Sequence, residues 1–385
     1  MARRMRRRGV VLLGTVLAAG VAAAAAWAAG FALVPSPNPG ESNSIDGLVA
    51  FSPTEVWAIG NASSHSYQGC HGRTLTARWD GSAFTEVPTS PTPVCGSING
   101  VAGTSTSDIW TVGSTNEGRD TSLRHWDGNV WTIVPGAFIP PPGPGRAHRS
   151  TGLNGVAALS PSNVWAVGRA EFEDFSRHTL IEHWNGNAWK LVDGPTSPST
   201  RLNGIAALRA SNIWAVGVNG QDTLTVHWDG TTWTVVPSPN ANVQNTLTGV
   251  AAVATNDVWA VGSAIKDPYD GYSVSKTLIE HWDGTAWTIV KSPNVGQGNN
   301  ALLAIAARSA HEIFAVGYYD DVTGEIPIRT TLVLHWNGRR WSRVASANRG
   351  TGDNWLTAVV APAGTTDAWA SGASAGGTLV ERFTR

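Results

Sequence analysis

The feature that most constrains this chain is a set of four short segments that recurs in fixed order. One copy reads Leu247-Thr-Gly-Val-Ala-Ala252, Asp257-Val-Trp-Ala-Val-Gly262, Thr277-Leu-Ile-Glu-His-Trp282 and Trp287-Thr-Ile-Val290. The second segment can be followed through the chain by its aromatic residue: Trp57, Trp110, Trp165, Trp214, Trp259, Phe314 and Trp369. A unit that recurs about every fifty residues predicts a repeat architecture such as a solenoid or a propeller.

Each of the four segments has the composition of a β-strand. The segments are short and rich in Val, Ile, Thr and Trp, and turn-forming residues separate them. Asp-Gly or Asn-Gly stands between the third and fourth segments, as in Asp283-Gly284, and such pairs tolerate the positive φ that tight hairpins need. After residue 30 no long stretch has the 3.6-residue period of a helix. The repeat unit is therefore predicted to be a four-stranded antiparallel sheet.

The two ends of the repeat region complement each other. The last repeat has no fourth segment, whereas the region begins with an isolated one, Phe31-Ala-Leu-Val-Pro-Ser-Pro-Asn38, which matches Trp233-Thr-Val-Val-Pro-Ser-Pro-Asn240. Pairing them removes two open sheet edges. We therefore predict an all-β fold, a seven-bladed β-propeller of four-stranded antiparallel blades, closed by the N-terminal strand completing the last blade. The Gly-Val-Ala-Ala segment suits the crowded innermost position, and most of the 19 Trp suit the packing between blades.

The N-terminus has the pattern of an export signal. Residues 3–8 are rich in Arg, residues 9–30 carry no charge, and Ala26-Trp27-Ala28 is a small-residue cleavage site. We expect residues 1–28 to be a signal peptide and residues 29–385 a single propeller, secreted or otherwise extracytoplasmic. The same stretch is long enough to span a bilayer, so a retained anchor that holds the protein at the cell surface stays open.

Charge and cysteine content narrow the function further. The formal net charge is −1 even with the N-terminal arginines, which argues against nucleic-acid binding. The two cysteines, Cys70 and Cys95, lie outside the repeat pattern and are expected to form a disulfide in an exported chain. No motif predicts a cofactor or a metal site, and we expect a monomer.

A candidate ligand-binding patch follows from the distribution of tyrosine. All five tyrosines lie between a second and a third segment, and these connections vary in length and share one face of the predicted ring. Tyr is favoured in contact surfaces, and neighbouring carboxylates would meet sugar hydroxyls, a basic loop or calcium. A solvated loop pair without function is the alternative. The predicted patch comprises Tyr269, Asp270, Tyr272, Tyr318, Tyr319, Asp320 and Asp321.

No catalytic residue can be nominated. Histidine recurs before the third-segment Trp, which indicates a structural position, and no nucleophile, metal or phosphate-binding motif occurs. The favoured hypothesis is therefore a non-catalytic, exported recognition propeller that binds a glycan or protein through its variable loops. The alternatives are an extracytoplasmic glycoside hydrolase or lyase, and a structural cell-surface scaffold.

The motif Val-Trp-Ala-Val-Gly followed by Thr-Leu-x-x-His-Trp-[Asp/Asn]-Gly-x-x-Trp resembles a group of exported bacterial seven-bladed propeller proteins, and the resemblance covers residues 31–385. It is more distantly similar to tectonin propellers, which bind glycans, and to kelch and galactose-oxidase-like propellers. The kelch Gly-Gly pair and the sialidase Asp-box are absent from the sequence. The resemblance therefore implies a fold and carries over no catalytic residue.

Overall fold

Strands make up the regular structure of the computed structural model, which describes residues 30–63, 73–89, 96–115, 120–140, 148–195, 197–269 and 273–384. Within these ranges no apolar helix is long enough to cross a membrane. Several predictions fall outside the described residues: the signal peptide of residues 1–28, the Cys70–Cys95 disulfide, and the roles of Asp270 and Tyr272.

The strands form seven blades of four strands each. The chain begins with β1 (Gly30–Leu33). Blade 1 contains β2 (Ser42–Ser52), β3 (Glu55–Ser63), β4 (Arg73–Trp79) and β5 (Phe84–Glu86). Blade 2 contains β6 (Gly96–Ser105), β7 (Asp108–Thr115), β8 (Thr121–Trp126) and β9 (Trp131–Ile133). Blade 3 contains β10 (His148–Ser160), β11 (Asn163–Phe172), β12 (Arg177–Trp184) and β13 (Trp189–Leu191).

The remaining blades follow the same order. Blade 4 contains β14 (Thr200–Arg209), β15 (Asn212–Asn219), β16 (Asp222–Trp228) and β17 (Trp233–Val235). Blade 5 contains β18 (Gln244–Ala254), β19 (Asp257–Ile265), β20 (Ser275–Trp282) and β21 (Trp287–Ile289). Blade 6 contains β22 (Asn300–Ser309), β23 (Glu312–Asp321), β24 (Ile328–Trp336) and β25 (Trp341–Ser346). Blade 7 contains β26 (Asn354–Val360), β27 (Ala368–Ser374) and β28 (Gly377–Phe383), and β1 completes it.

The predicted closure by the N-terminal strand is confirmed. Strand β1 pairs antiparallel with β28, with Phe31 opposite Phe383 and Leu33 opposite Glu381. Its other edge makes a short parallel pairing with β25 of blade 6, where Phe31 lies opposite Ser346. The N-terminal strand therefore completes blade 7 and also joins it to blade 6.

The hairpins between the third and fourth strands are the tight turns that the Asp-Gly pairs predict. Trp228 and Trp233 lie directly opposite each other, and Gly230 between them has a φ of +105°. The Asp229 Oδ1 atom accepts the backbone N–H groups of Thr231 at 2.7 Å and Thr232 at 2.9 Å. These bonds, and one from the Thr231 hydroxyl, lower the pKa of Asp229 to about 2.

The innermost strands need a small residue, glycine or alanine, because neighbouring blades approach closely at the axis. A Cβ atom on Gly47 would lie 2.7 Å from Val101 Cγ1, and one on Gly204 would lie 3.0 Å from the carbonyl oxygen of Thr248. Both distances are shorter than van der Waals contact. The Gly-Val-Ala-Ala segment therefore occupies the position where the sequence predicts it.

Aromatic side chains fill the space between blades in a repeated triad. The second-strand aromatic of one blade packs against the third- and fourth-strand aromatics of the next, as Trp110 does with Trp184 at 5.0 Å and Trp189 at 5.2 Å between ring centroids. Between blades 6 and 7 the triad consists of Phe314, Phe383 and Phe31, with centroids 5.3 to 5.7 Å apart. Phe31 thus occupies the position that the missing fourth segment leaves.

One prediction about the connections is wrong in detail. Tyr318, Tyr319, Asp320 and Asp321 do not lie in a loop but at the end of β23, paired with residues 328–331 of β24. The β-hairpin of blade 6 is longer than the repeat pattern indicates. This matters for the predicted patch because adjacent residues of a strand point to opposite faces of the sheet.

Candidate functional site

The two rims of the ring differ in regularity. On one rim the connections are short turns that recur from blade to blade, such as those at Asp229 and Asp283. On the other rim, which we call the variable rim, the second-to-third and fourth-to-first connections vary in length and composition, for example two residues between β15 and β16 and six between β23 and β24. Aromatic side chains are exposed on this rim, since Phe138 and Tyr269 are 82% and 79% exposed. Binding sites on rigid scaffolds are usually built from such connections.

Part of the predicted patch belongs to an internal network. Arg329 lies over the ring of Tyr318, with its guanidinium carbon 3.8 Å from the centroid, and its Nε is 3.3 Å from Asp320 Oδ1. The Asn299 amide donates to the other Asp320 oxygen at 2.9 Å. Tyr318 and Asp320 therefore already have cationic and hydrogen-bonding partners on one face of the blade 6 hairpin.

The other tyrosines of the patch point elsewhere. Tyr319 lies on the opposite face of β23, packs against the hydrophobic cluster between blades 5 and 6, and its hydroxyl accepts from Arg343 at 3.2 Å. Tyr269 leans toward blade 4, where Gln221 donates to its hydroxyl at 2.6 Å. Asp321 caps the turn at Thr323. The described members of the patch thus face different directions, and their role in ligand binding stays a prediction.

A second arrangement surrounds the central channel. Each innermost strand has an irregularity in its register that leaves one residue out of the ladder, such as Asn154 between Leu153 and Gly155. In three blades this residue is asparagine, and its amide donates to a backbone carbonyl of the following blade. The three bonds run from Asn99 to Leu153 at 2.9 Å, from Asn154 to Leu202 at 2.8 Å, and from Asn203 to Leu247 at 2.7 Å.

The remaining blades vary this arrangement. The hydroxyls of Thr248 and Thr357 donate to the carbonyls of Leu302 at 2.8 Å and of Ile45 at 3.0 Å. In blade 1 Asp46 accepts from Asn61, which also bonds the backbone of Ile98, and burial raises the pKa of Asp46 against the effect of its hydrogen bonds. These polar side chains join blades to each other. They line a channel of about 220 Å³, but their hydrogen bonds are directed into the ring.

The sequence contained a signal for this arrangement that the prediction missed. A polar residue recurs immediately before the small residue of the first segment, as in Asn99-Gly100 and Thr248-Gly249. A regular strand model assigns no special role to that position, because the bulge is visible only in the pairing register.

Two cavities away from the axis open on the variable rim. One, of about 300 Å³, is formed by blades 3, 4 and 5 and includes Phe175, Arg177 and Arg201 in its wall. The other, of about 330 Å³, lies between blades 2 and 3 and is lined by Thr121 and residues 136–139. Both cavities are formed by the ends of strands and the connections of that rim. The variable rim thus offers concave surface as well as exposed aromatic side chains.

The structure gives the recurring histidines a packing role. His183 stacks on Trp165 with ring centroids 4.2 Å apart, and His281 packs on Trp259 at the same distance. The His281 ring also bonds Asp257 at 2.8 Å. In the described part of the chain, no group of three or more His, Cys, Asp or Glu side chains is placed to hold a metal ion.

Comparison with solved structures agrees with this architecture. The fold is similar to that of YCF48 bound to D1 peptide (TM-score 0.55, 14% identity, 92% of this chain and 96% of that one). It is also similar to YCF48 from Cyanidioschyzon merolae (TM-score 0.55, 14% identity, 92% and 99%) and to the WD40 repeats of RRP9 (TM-score 0.57, 9% identity, 92% and 98%). No protein-family profile matches the chain, and no curated protein sequence does. At these identities the comparisons show the fold, a β-propeller.

Proposed function

We propose that this protein is an exported, non-catalytic recognition propeller that binds a polypeptide or glycan ligand through its variable rim. The observation that carries the proposal is the contrast between the rims. Aromatic triads and short turns hold the ring rigidly, whereas the cavities and the most exposed aromatic side chains described above lie on the variable rim. A rigid ring with one irregular, concave rim is suited to present a preformed binding surface.

A polypeptide is the better supported class of ligand. One structural neighbour, YCF48, is described as bound to a peptide, and propellers of the WD40 type are also among the neighbours. These similarities concern the fold, so they raise the expectation of a protein partner without identifying one. Glycan binding rests on the exposed aromatic side chains of the rim, which would stack on sugar faces.

Site-specific photo-crosslinking tests the proposal. A photoreactive amino acid is placed at Phe138 or Tyr269 on the variable rim, and at the exposed Thr231 or Thr285 on the opposite rim as matched controls. Each full-length variant is irradiated in the envelope fraction of the producing cells. We expect adducts from the variable rim alone, and their sensitivity to protease or glycosidase distinguishes polypeptide from glycan. Adducts of equal yield from both rims, or from the control positions only, would contradict the proposal.

Export is tested separately by the mass of the protein recovered from those cells. A chain that begins near residue 29 outside the cytoplasm supports a cleaved signal, and a full-length chain in the membrane fraction supports the anchor. Recovery of the full-length chain from the cytoplasm would exclude both.

A further inference from the structure

The cavity formed by blades 3, 4 and 5 combines two arginines with apolar side chains in its wall. Two arginines, Arg177 and Arg201, line it together with the ring of Phe175, the side chain of Val218, and the neutral polar residues Gln244 and Thr246. The backbone on one side is fixed by hydrogen bonds from Arg177 N to Pro198 O at 3.1 Å and from Gly220 N to Ser199 O at 2.9 Å. The cavity is therefore preformed, with cationic and apolar wall groups side by side.

Positive charge accumulates around this cavity. Arg149 and Arg177 both approach Glu171, with nitrogen–oxygen distances of 3.6 and 3.0 Å, and Arg169 is close enough to Arg201 to affect its ionisation. Glu171 offsets only part of this charge. The exposed carboxylates of the same turn, Glu173 and Asp174, are not part of the cavity wall.

Arg201 is the wall residue with an unsatisfied hydrogen-bond donor. Its Nε atom is buried and has no hydrogen-bond partner among the described residues. Burial, and then repulsion by Arg169 and Arg177, lower the pKa of Arg201. A half-buried guanidinium that has an unpaired donor and no carboxylate partner among the described residues favours an anion in the cavity.

Phe175 provides a second, independent indication of a binding site. Among the described residues it alone has a positive φ (+64°) without being glycine, a conformation that costs on the order of 1–3 kcal/mol for such a residue. Its ring is 67% exposed, with the Arg149 guanidinium 4.4 Å from the centroid. The turn thus holds an aromatic ring at the mouth of the cavity at the expense of backbone strain, and such strain is characteristic of ligand contacts.

We infer that this cavity binds a carboxylate of an acidic polypeptide segment. Arg177 and Arg201 donate hydrogen bonds to the carboxylate oxygens. The rings of Phe175 and Pro198 contact an apolar side chain of the ligand next to that carboxylate. Among the described residues of the wall, Arg177 is already paired with Glu171, whereas Arg201 has no carboxylate partner, so the wall matches the single charge of a carboxylate better than the double charge of a phosphate. The inference specifies the ligand of the proposed rim function and therefore rests on that function.

The probe is a fluorescein-labelled octapeptide of alternating glutamate and leucine, and the matched peptide replaces each glutamate with glutamine. Fluorescence anisotropy with the purified full-length protein should show saturable binding of the first peptide only. Arg201→Gln and Arg177→Gln should each weaken it about tenfold, the loss expected for a charge-assisted bond. Arg339→Gln, on the exposed short-turn rim, removes the same charge and should leave the affinity unchanged. Phe175→Gly should also weaken binding while the backbone strain is relieved.

Several outcomes would overturn the inference. These are equal binding of the glutamate and glutamine peptides, an equal loss in Arg339→Gln, or displacement of the peptide by phosphoserine peptide or oligogalacturonate at a tenth of its concentration. If Arg201→Gln does not fold, Arg177→Gln carries the test. Rim adducts that persist in both arginine variants while the peptide fails to bind would reject this inference alone. Absence of rim adducts from the parent protein would reject the proposed function as well.

Discussion

The interfaces between blades and the variable rim follow opposite rules. At the interfaces the same triad of aromatic side chains returns around the ring, from Trp57 with Trp126 and Trp131 to Trp369 with Trp79 and Phe84. At the variable rim each blade differs. Blade 3 places the strained Phe175 there, blade 5 the exposed Tyr269, and blade 6 a lengthened hairpin.

This difference separates stability from recognition. Each interface must bury two faces of neighbouring sheets, so any blade that departs from the triad would weaken a closed ring. The exposed side chains of the rim, such as Phe138 and Tyr269, bear no such constraint because they do not pack between blades. Substitutions at interfaces should therefore change the free energy of unfolding, whereas substitutions at the rim should change binding.

The largest expected effect concerns the closing strand. Deleting residues 31–38 removes Phe31 from its triad and both strand pairings of β1. It also removes Asn38, whose side chain accepts the backbone N–H of Thr378 at 2.6 Å. The ring would then open between blades 6 and 7, and we expect the thermal stability of the protein to collapse. Thermal unfolding followed by tryptophan fluorescence measures this.

A synthetic peptide that spans residues 30–40 provides the control for the deletion. Added in excess, it should restore part of the lost melting temperature, since anything that binds the folded state stabilises it by mass action. A deletion variant that melts at the same temperature as the parent would refute the role of closure in stability.

The repeat pattern predicts the blades and their closure, but not the local irregularities of the strands. Phe31 could be assigned to blade 7 because the repeat leaves one position empty, and Gly47 to the axis because only a small residue fits there. The bulge at Asn154 cannot be predicted from strand alternation, because it shows only in the pairing register with the second strand. The repeat pattern ends the second strand before Tyr318 and Tyr319, whereas their high strand propensity extends the blade 6 hairpin past them.

The cavity on blades 3 to 5 could not be predicted from the sequence, for a physical reason. Arg149, Arg169, Arg177 and Arg201 lie on two neighbouring blades, and of the four only Arg177 has an arginine at the equivalent position of another blade, Arg329 of blade 6. Their convergence depends on how strand ends and loops meet at the rim, and a chain with a formal net charge of −1 gives no sign of it. The repeat pattern identifies residues that the blades have in common, whereas most residues of this cavity are specific to one blade.

An intermediate effect concerns carboxyl groups buried between blades. Glu182, Glu280 and Glu381 occupy the same third-strand position and are inaccessible to solvent. Glu182 accepts the Ala137 N–H at 2.9 Å, and Glu381 accepts the Ser346 hydroxyl at 2.8 Å. Neither Glu280 oxygen has a partner among the described residues. The blade 4 residue that corresponds to Ala137 is Pro239, which has no N–H to donate.

Burial raises the pKa of these carboxyl groups, to about 7 for Glu182 and about 8 for Glu280 and Glu381. Because the folded pKa exceeds the unfolded value near 4.5, the folded protein retains protons that the unfolded chain releases. The stabilisation is complete below pH 4.5 and is lost as the pH rises toward 8. For Glu280 the loss is roughly 3–5 kcal/mol by pH 8. The free energy of unfolding should therefore fall over this range.

The variant Glu280→Gln isolates this contribution, because the amide cannot ionise. Its free energy of unfolding, measured with denaturant from pH 4.5 to 8.5, should decline less steeply than that of the parent. The two proteins should differ most at the alkaline end, where the variant is more stable. The matched control is Glu325→Gln, at an exposed position of the variable rim, which should follow the parent at every pH. Parallel curves for Glu280→Gln and the parent would show that the carboxyl is ionised in the folded state.

The smallest expected effect is a gain of stability at the rim. Phe175→Gly places glycine where φ is +64°, and the Phe172 to Ser176 backbone bonds of the turn remain available. The relief of strain should exceed the entropy that glycine adds to the unfolded chain, so we expect stability to rise by up to about 1 kcal/mol. Phe175→Ala removes the ring but keeps the strained backbone, and it should not be more stable than the parent. If Phe175→Gly were instead less stable than Phe175→Ala, the ring and its Arg149 contact would be part of the framework, and the division between a stabilising interface and a binding rim would not hold in blade 3.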